Sequence, residues 1–333
     1  MLTYKDYKKI IDKIVWFIPI RKYRYYIRIL LMDIVNTIYR IENINNILNT
    51  KNNNNVEELA IIEVQGGLSD QLHKYILGES IKIYCDKKVK YDLTFYEEYV
   101  TDSLGNRNRP FELLEFLPEI NFDIASRQEI STYKTCFYEP KYCHNYFYEL
   151  NDLLINKRQI YVSGYPNRSL PINIEELFSN IDLDKYHYNK LKDDNLDLYK
   201  EMKQHIASVS VHVRLGDSNT MDSFSSKFNK DYNNYANYII QSINLMTIKL
   251  NPIKPKFFFF SYDIEWVKKN IILKLHNTDY IINNSINKGY IDMYLISSSK
   301  HSIISIGGFG RTANYFNKNK DKIIISPDNI NSL

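Results

Sequence analysis

Short apolar runs alternate twice with helix-period segments, which predicts an α/β chain of two Rossmann-like domains facing a cleft, preceded by a helical extension. Three observations carry this expectation. The length of 333 residues suits two domains. The run Phe257–Ser261 is apolar and β-prone, the pattern of a parallel strand buried on both faces. Glycine is scarce, 10 residues in all, yet Gly66-Gly67 and Gly307-Gly308 each follow a strand-type run, where the turns of such domains lie. The expected divisions are 1–55 as extension and linker, 56–204 as the N-terminal domain and 205–333 as the C-terminal domain.

Composition narrows the function classes. With 44% hydrophobic and 25% charged residues, the chain is neither largely disordered nor a multi-span membrane protein; no run of about 20 residues lacks charge. The net charge of +4 is unevenly placed, since residues 1–50 hold nine Lys/Arg against four Asp/Glu. The body is therefore near neutral, which argues against nucleic acid as a partner. Three cysteines, Cys85, Cys136 and Cys143, fit a reducing compartment without a disulfide framework. The spacing of Cys136, Cys143 and His144 is wrong for a zinc knuckle.

Residues 7–42 read as one or two helices, with Ile10, Ile11, Ile14, Val15 and Phe17 on an apolar stripe broken at Pro19. Arg21, Lys22, Arg24 and Arg28 follow among Tyr23, Tyr25, Tyr26, Ile27, Ile29 and Leu30. The apolar run Ile14–Ile20 is too short to span a bilayer, and no small-residue cleavage site follows it. Two readings stand: peripheral contact with an anionic membrane, or docking on the body or on a second subunit. Residues 51–55 are a polar linker.

The body opens with strand Leu59–Val64, turn Gln65–Ser69, helix Asp70–Cys85 and strand Val89–Leu93. Residues 94–160 are less regular, and 159–165 form a strand ending at Gly164. A charged helical stretch, 182–204, leads to strand Ser208–Val213 and helix Asp231–Leu250, whose one face carries Tyr235, Ile239, Ile243 and Met246. Strand Phe257–Ser261, helix Ile264–Leu273, strand Tyr280–Ile282 and helix Ile291–Ser299 follow. Strand His301–Ile306, helix Thr312–Asn317 and strand Lys322–Ser326 complete the pattern. Ligands belong outside the carboxyl ends of such strands.

Three clusters lie at those ends. In His212-Val213-Arg214-Leu215-Gly216-Asp217, a guanidinium can clamp a phosphate bidentately, Gly216 permits a tight turn, and Asp217 can orient Arg214 or act on a hydroxyl. An Arg–Asp pair that merely fastens a loop fits the same residues. Asp263, after Ser261-Tyr262, can accept from a base or ribose, or simply cap the next helix. Gly307, Gly308, Gly310 and Arg311 can form an anion site from backbone amides and one cation, or a plain tight turn. No dinucleotide fingerprint, P-loop, nucleophile elbow or H-E-x-x-H occurs. Asp182-Leu183-Asp184 is better explained by capping than by metal. The 29 tyrosines are spread along the chain, as packing residues are.

Five segments in order resemble glycosyltransferase family 11, the α-1,2-fucosyltransferases within the wider α-1,2/α-1,6/protein O-fucosyltransferase group. They are Gly66-Gly67-Leu68-Ser69-Asp70-Gln71-Leu72, Gly164-Tyr165, the His212–Asp217 cluster, Phe259–Val267, and Asp292–Ser297 continuing through Lys300–Ile304. The resemblance covers about residues 59–326. It implies a GT-B fold, GDP-fucose as donor, a glycan acceptor, α-1,2 linkage, an inverting mechanism and no cofactor or required metal. It implies Arg214 on the pyrophosphate, His212 near the sugar phosphate, Asp263 near the guanosine, and Gly66 and Gly67 lining the cleft from the acceptor-side domain. With Asp217 added from the cluster itself, the expected catalytic set is Arg214, His212 and Asp217; an acceptor hydroxyl needs a carboxylate or His within hydrogen-bond reach, for which Asp217 and His73 are the candidates. Two departures stand out. The family's Gly-Leu-Gly-Asn-Gln reads Gly67-Leu68-Ser69-Asp70-Gln71, and its Asn-Ser-Ser-Phe-Ser-Trp-Trp is replaced by Ile306-Gly307-Gly308-Phe309-Gly310-Arg311-Thr312. Backbone amides then stand where hydroxyls would meet phosphate, which leaves another nucleotide sugar, or an inactive glycan-binding relative, as alternatives. Acceptor loops are expected in 94–160 and 218–230. The basic N-terminal helix and the Asn/Ile/Lys-rich composition point to a bacterial, cytoplasmic setting, peripheral on the inner membrane, in surface polysaccharide or lipid-linked glycan synthesis.

Overall fold

The computed structural model describes residues 4–18, scattered positions from 23 to 38, 59–98, 110–136, 147–148, 159–166, 172–215, 228, 231–283 and 288–330. Contacts divide the chain into two units: unit 1 holds residues 1–110 and 121–172, and unit 2 holds 111–120 and 173–333. The division falls after Ile172, earlier than the expected break at 204/205. The reason is aromatic packing. His187 and Tyr199, sequence neighbours of the expected first domain, pack on Tyr294, with ring centroids 5.3 and 5.4 Å away. Phe116, fully buried, places its ring 5.5 Å from His187 and 5.0 Å from Phe316, which draws the short segment 111–120 into unit 2.

In unit 1, strands β1 (Leu59–Glu63), β2 (Lys88–Asp92) and β4 (Ile160–Val162) form a parallel sheet in the order β2-β1-β4. Tyr91 makes a further parallel bridge to Ile124 beyond β2. A two-residue pair, β3 (Phe147–Tyr148) with β5 (Tyr165–Pro166), stands apart. Alternation along β1 sends Leu59 and Ile61 to one face, where Ala125, Ile130, Tyr133 and Tyr161 complete a small core. Gly66 takes φ +84°, and the turn it makes starts helix Leu68–Cys85, capped by the Asp70 carboxylate accepting from Gly67 N–H at 3.1 Å.

Unit 2 is built on five parallel strands: β6 (Ser208–Val213), β7 (Lys256–Ser261), β8 (Asp279–Ile282), β9 (His301–Ile304) and β10 (Ile324–Ile325). Their order is β10-β9-β6-β7-β8. The chain runs outward from β6 through β7 to β8, then returns to the other side of β6 for β9 and β10. This is the Rossmann order, with its switch point between β6 and β9. Val209, Val211 and Val213 meet Tyr235, Ile239, Ile243 and Met246 of helix Tyr232–Leu250, the face the periodicity predicts. Phe257–Phe260 are all at most 2% exposed, and burying one such ring contributes about 1.5–3 kcal/mol. On the opposite face of β6 and β9, buried hydroxyls satisfy one another: Ser210 lies 2.9 Å from Ser302 and accepts from Ser299 at 3.0 Å, and Ser302 donates to Asn314 at 2.9 Å.

Several boundaries differ from the sequence expectation. The stretch 182–204 breaks into helix Leu183–His187, a 3-10 turn and helix Asp193–Gln204. Asp182 caps the first, accepting from Asp184 N–H at 3.1 Å, while Asp184 accepts from the Tyr294 hydroxyl at 2.8 Å. Strand β9 stops at Ile304, and the following helix is Phe309–Ala313, earlier than the expected 312–317. Gly310 sits inside that helix because a Cβ there would lie 3.0 Å from Ile304 Cγ2 and 3.2 Å from His212 Nδ1. The glycine serves close packing rather than a turn.

Candidate active site

The switch point of unit 2 gathers two segments ninety residues apart in the sequence. Register pairs His212 with Ile304, so Arg214 and Ser305 leave the sheet side by side at its carboxyl end. Arg214 N–H donates to Ser305 Oγ at 3.0 Å, and the same oxygen lies 3.4 Å from His212 Nδ1. Gly307 follows with φ +89°. A Cβ at that position would lie 2.7 Å from Arg214 Nη1, 3.2 Å from its Cδ and 3.3 Å from its Cζ. The guanidinium therefore rests directly on the Gly307 backbone. Glycine is required twice over, for the left-handed backbone and for the space. His212 packs tilted against Phe309, centroids 5.3 Å apart, and fills the space over Gly310. The His-Val-Arg and Gly-Gly-Phe-Gly segments are thus one interlocked constellation.

Its electrostatics are set by burial. Desolvation, with the Arg214 charge second, pushes His212 down to about 3. The imidazole is neutral at physiological pH and can only exchange hydrogen bonds, so it supplies no positive charge. The cation at this point of the sheet is Arg214. The first-turn N–H groups of helix Phe309–Ala313 have no acceptor within the helix, the ordinary condition of a helix start.

The other sequence-predicted residues are placed less centrally. Arg311 pairs with Asp328 at 3.0 Å. Asp263 lies beyond the end of β7 and caps helix Ile264–Asn270, its Oδ1 accepting from Trp266 N–H at 2.9 Å. That is the capping reading of this carboxylate; its second oxygen has no part in the cap. Gly216 and Asp217 lie outside the described residues, as do 218–227, Cys143 and His144. Cys85 is buried as a free thiol.

Gly66 and Gly67 occupy the equivalent place in unit 1, at the end of β1 beside β4. The Gly66 carbonyl accepts from Tyr96 OH at 2.9 Å and Gln71 Nε2 at 3.2 Å, and the Asp70 carboxylate occupies the space a Gly66 Cβ would need. His73, half-buried, sits on the helix that follows. Beneath the turn, Lys74 is fully buried and donates to the Gly164 carbonyl, while Ser163 Oγ donates to buried Glu63. Desolvation lowers the Lys74 ammonium to about 8, against the opposing pull of Glu63 and then Asp70. A lysine tied to a strand end explains how Gly164 is held in register with the Gly-Gly turn.

Sequence reasoning missed Ser305, Lys74 and Glu63. Ser305 offers no motif of its own. The available signal is its place, a hydroxyl residue directly after an apolar strand and before a glycine pair, and it becomes informative only once β9 is known to flank β6.

A parallel Rossmann-type sheet in each of two units gives the α/β class expected of a GT-B sugar-transferring enzyme, and residues 140–332 match the family Glycosyl transferase family 11. The chain belongs to that family: it is a glycosyltransferase of the fucosyltransferase-like kind. The match contains the whole unit 2 constellation, whereas Gly66–Leu72 lies outside it. Among curated proteins, an alpha-1,2-colitosyltransferase of Escherichia coli is 26% identical over 273 residues, covering 75% of this chain and 85% of that protein. Among solved structures, a mutant of Arabidopsis thaliana FUT1 in complex with GDP is 10% identical, with TM-score 0.47, covering 85% of this chain and 74% of that one. Fucosyltransferase NodZ from Bradyrhizobium is 13% identical, with TM-score 0.40, covering 78% and 92%.

Proposed function

We propose that this enzyme transfers a 6-deoxyhexose from a GDP-sugar to a hydroxyl of a glycan acceptor, with inversion, in α-1,2 linkage and without a required metal. Fucose is the donor sugar of the first reading. The observation that supports it above all is the Arg214 guanidinium laid on Gly307 at the switch point of a Rossmann-type sheet. An inverting transfer passes through an oxocarbenium-like transition state in which the departing diphosphate gains negative charge. A fixed guanidinium and backbone amides at 307–310 offset that charge without reorganising. In this reading neutral His212 steadies the cluster through Ser305 and the Gly310 surface. The Asp263 oxygen outside the helix cap is left for the guanosine. The Gly66-Gly67 turn serves the acceptor side, and Asp217 or His73 takes the acceptor proton. The setting proposed is the cytoplasmic face of a bacterial membrane, in surface polysaccharide or lipid-linked glycan synthesis.

A second donor is favoured by the Escherichia coli relative, whose name specifies colitose. Colitose is fucose without its 3-hydroxyl, so the two donors share GDP, the 6-deoxy carbon and the reacting centre. A site built to hydrogen-bond the 3-hydroxyl would discriminate strongly; one that leaves it uncontacted accepts both.

Calorimetric titration with GDP, UDP and CDP tests the nucleotide, with binding of GDP alone expected. Tight UDP binding with none for GDP would overturn the donor class. Turnover of GDP-fucose against GDP-colitose then assigns the sugar. Arg214→Ala is expected to lose about 2–4 kcal/mol of transition-state stabilisation in donor hydrolysis, as for a lost oxyanion donor. An unchanged rate would remove Arg214 from the mechanism, and absence of any hydrolysis or transfer in the wild type would favour a glycan-binding role.

A further inference from the structure

The N-terminal helices carry a surface that the catalytic reading does not use. In helix Tyr4–Trp16, Tyr7, Ile11 and Val15 form one stripe, which Ile18 just past the helix extends, and it packs with Ile27, Leu31 and Val35 of the helical positions that follow. Val15 is 1% exposed, and Ile11 and Val35 are each 5% exposed, so this small core is closed. A second stripe lies alongside it and is open. Ile10 and Ile14 on the first helix with Phe17 just after it, and Leu30, Ile34 and Ile38 on the second, are 40–79% exposed. At about 100° per residue, the open stripe sits roughly 90° from the closed one on the first helix and roughly 60° on the second. Arg24 reaching the Ile18 carbonyl and Arg28 pairing with Asp12 place later residues of the second segment against earlier residues of the first, an antiparallel pairing in which both offsets fall on the same side. The result is one continuous apolar face. At the bend, Trp16 (70% exposed) meets Phe17 edge to face, centroids 5.8 Å apart.

Charge completes the pattern. Lys9 and Lys13 are exposed on the flank of the apolar stripe, where their stems can lie along it while the ammonium groups reach outward. Arg24 donates to the Ile18 carbonyl at the bend, and Arg28 pairs with Asp12 at 2.9 Å. No charged residue interrupts either open stripe. Among the described residues, no helix is long and apolar enough to cross a membrane. An apolar face with aromatic residues at its tip, cationic flanks and insufficient length to span is the chemistry of an interfacial anchor.

We infer that this helical pair docks on an anionic lipid surface, with Trp16 and Phe17 inserted at the headgroup level and the 10/14/17 and 30/34/38 stripes laid on the acyl boundary. The inference does not depend on the sugar-transfer reading, and its readouts do not involve activity. The full-length protein is sedimented with phosphatidylcholine vesicles, with and without phosphatidylglycerol. Binding is expected only with phosphatidylglycerol, weakening as salt rises. Trp266→Phe leaves Trp16 as the sole tryptophan, whose emission should shift to the blue on vesicle addition. Trp16→Ser with Phe17→Ser should weaken vesicle binding by at least about tenfold, since two large rings no longer leave water. The same pair should leave the melting temperature unchanged, because both side chains are exposed. Ile248→Ser with Leu273→Ser, equally exposed in unit 2, should change nothing. Failure to bind anionic vesicles, or binding that survives Trp16→Ser with Phe17→Ser, overturns the inference. A doubled mass in solution that this double variant abolishes, without vesicle binding, would assign the face to a second copy of the chain instead.

Discussion

Gly307→Ala is the sharpest test of the unit 2 constellation. The added methyl carbon would stand 2.7 Å from Arg214 Nη1, whereas ordinary contact begins near 3.4 Å. The guanidinium must therefore withdraw by roughly 0.7 Å, or the loop must open by as much; a misplacement near 1 Å costs about 100-fold when a group is held for a transition state. The backbone adds its own penalty: at φ +89° an L-residue is strained by about 1–2 kcal/mol. The expected outcome is a fall of about 10–100-fold in kcat/KM for the GDP-sugar, with a melting temperature lowered by a few degrees. Arg214→Ala should be costly alone, and adding Gly307→Ala to it should cost little more, because the second change acts through the first side chain. Steady-state kinetics on the four proteins of that cycle, with melting curves alongside, measure this directly. If Gly307→Ala keeps kcat/KM within twofold, or if the two effects simply add, Arg214 is not positioned through this contact.

Three further outcomes follow from the same structure. His212 is held near 3 in the fold against an ordinary value of 6.5, so the unfolded chain takes up the proton first. Stability is then lost as pH falls from 6.5 toward 3, and His212→Gln should flatten that part of the melting-temperature profile; an unflattened profile would show the imidazole is not buried as described. Lys74, lowered to about 8 from 10.5, acts with the same sign at higher pH: between those values the unfolded state holds more protons, so its contribution rises with pH, and Lys74→Met should remove that rise between pH 8 and 9.5 relative to wild type. Chelation by EDTA during transfer should leave the rate unchanged if, as proposed, Arg214 and peptide N–H groups hold the diphosphate; a rate restored only by added divalent ion would reject the metal-independent reading.

Much of the fold was legible because it is local. Phe257–Ser261 announced a buried strand, and Tyr235, Ile239, Ile243 and Met246 announced the buried face of a helix, through spacing alone. The strand order was not legible, since nothing in Ser208–Val213 or His301–Ile304 states that they lie side by side; register is fixed by pairing across ninety residues. For the same reason Arg214 and Gly307 were found separately and their contact was not. The single charged stretch 182–204 hid a break at Leu191–Lys192, because packing on Tyr294 and Phe116 outweighs its helical composition. Gly310 read as turn chemistry because sequence does not reveal which side chains will crowd a backbone. Asp263 fitted capping and ligand contact equally well from sequence, and the structure supplies the cap.

The excursion of residues 111–120 into unit 2 bears on how this polypeptide can be dissected. The backbone passes from one unit to the other three times, so no single cut yields two self-sufficient pieces. A fragment starting at Asn173 would lack the phenylalanine ring that fills the space between His187 and Phe316, and that vacancy is of the size that costs about 3–5 kcal/mol when such a ring is deleted. Expressed alone, the carboxyl-terminal piece should be insoluble or molten, and supplying a peptide of 111–120 in trans should partly rescue it. During synthesis the same arrangement obliges the early loop to wait, unsatisfied, until the last third of the protein has emerged.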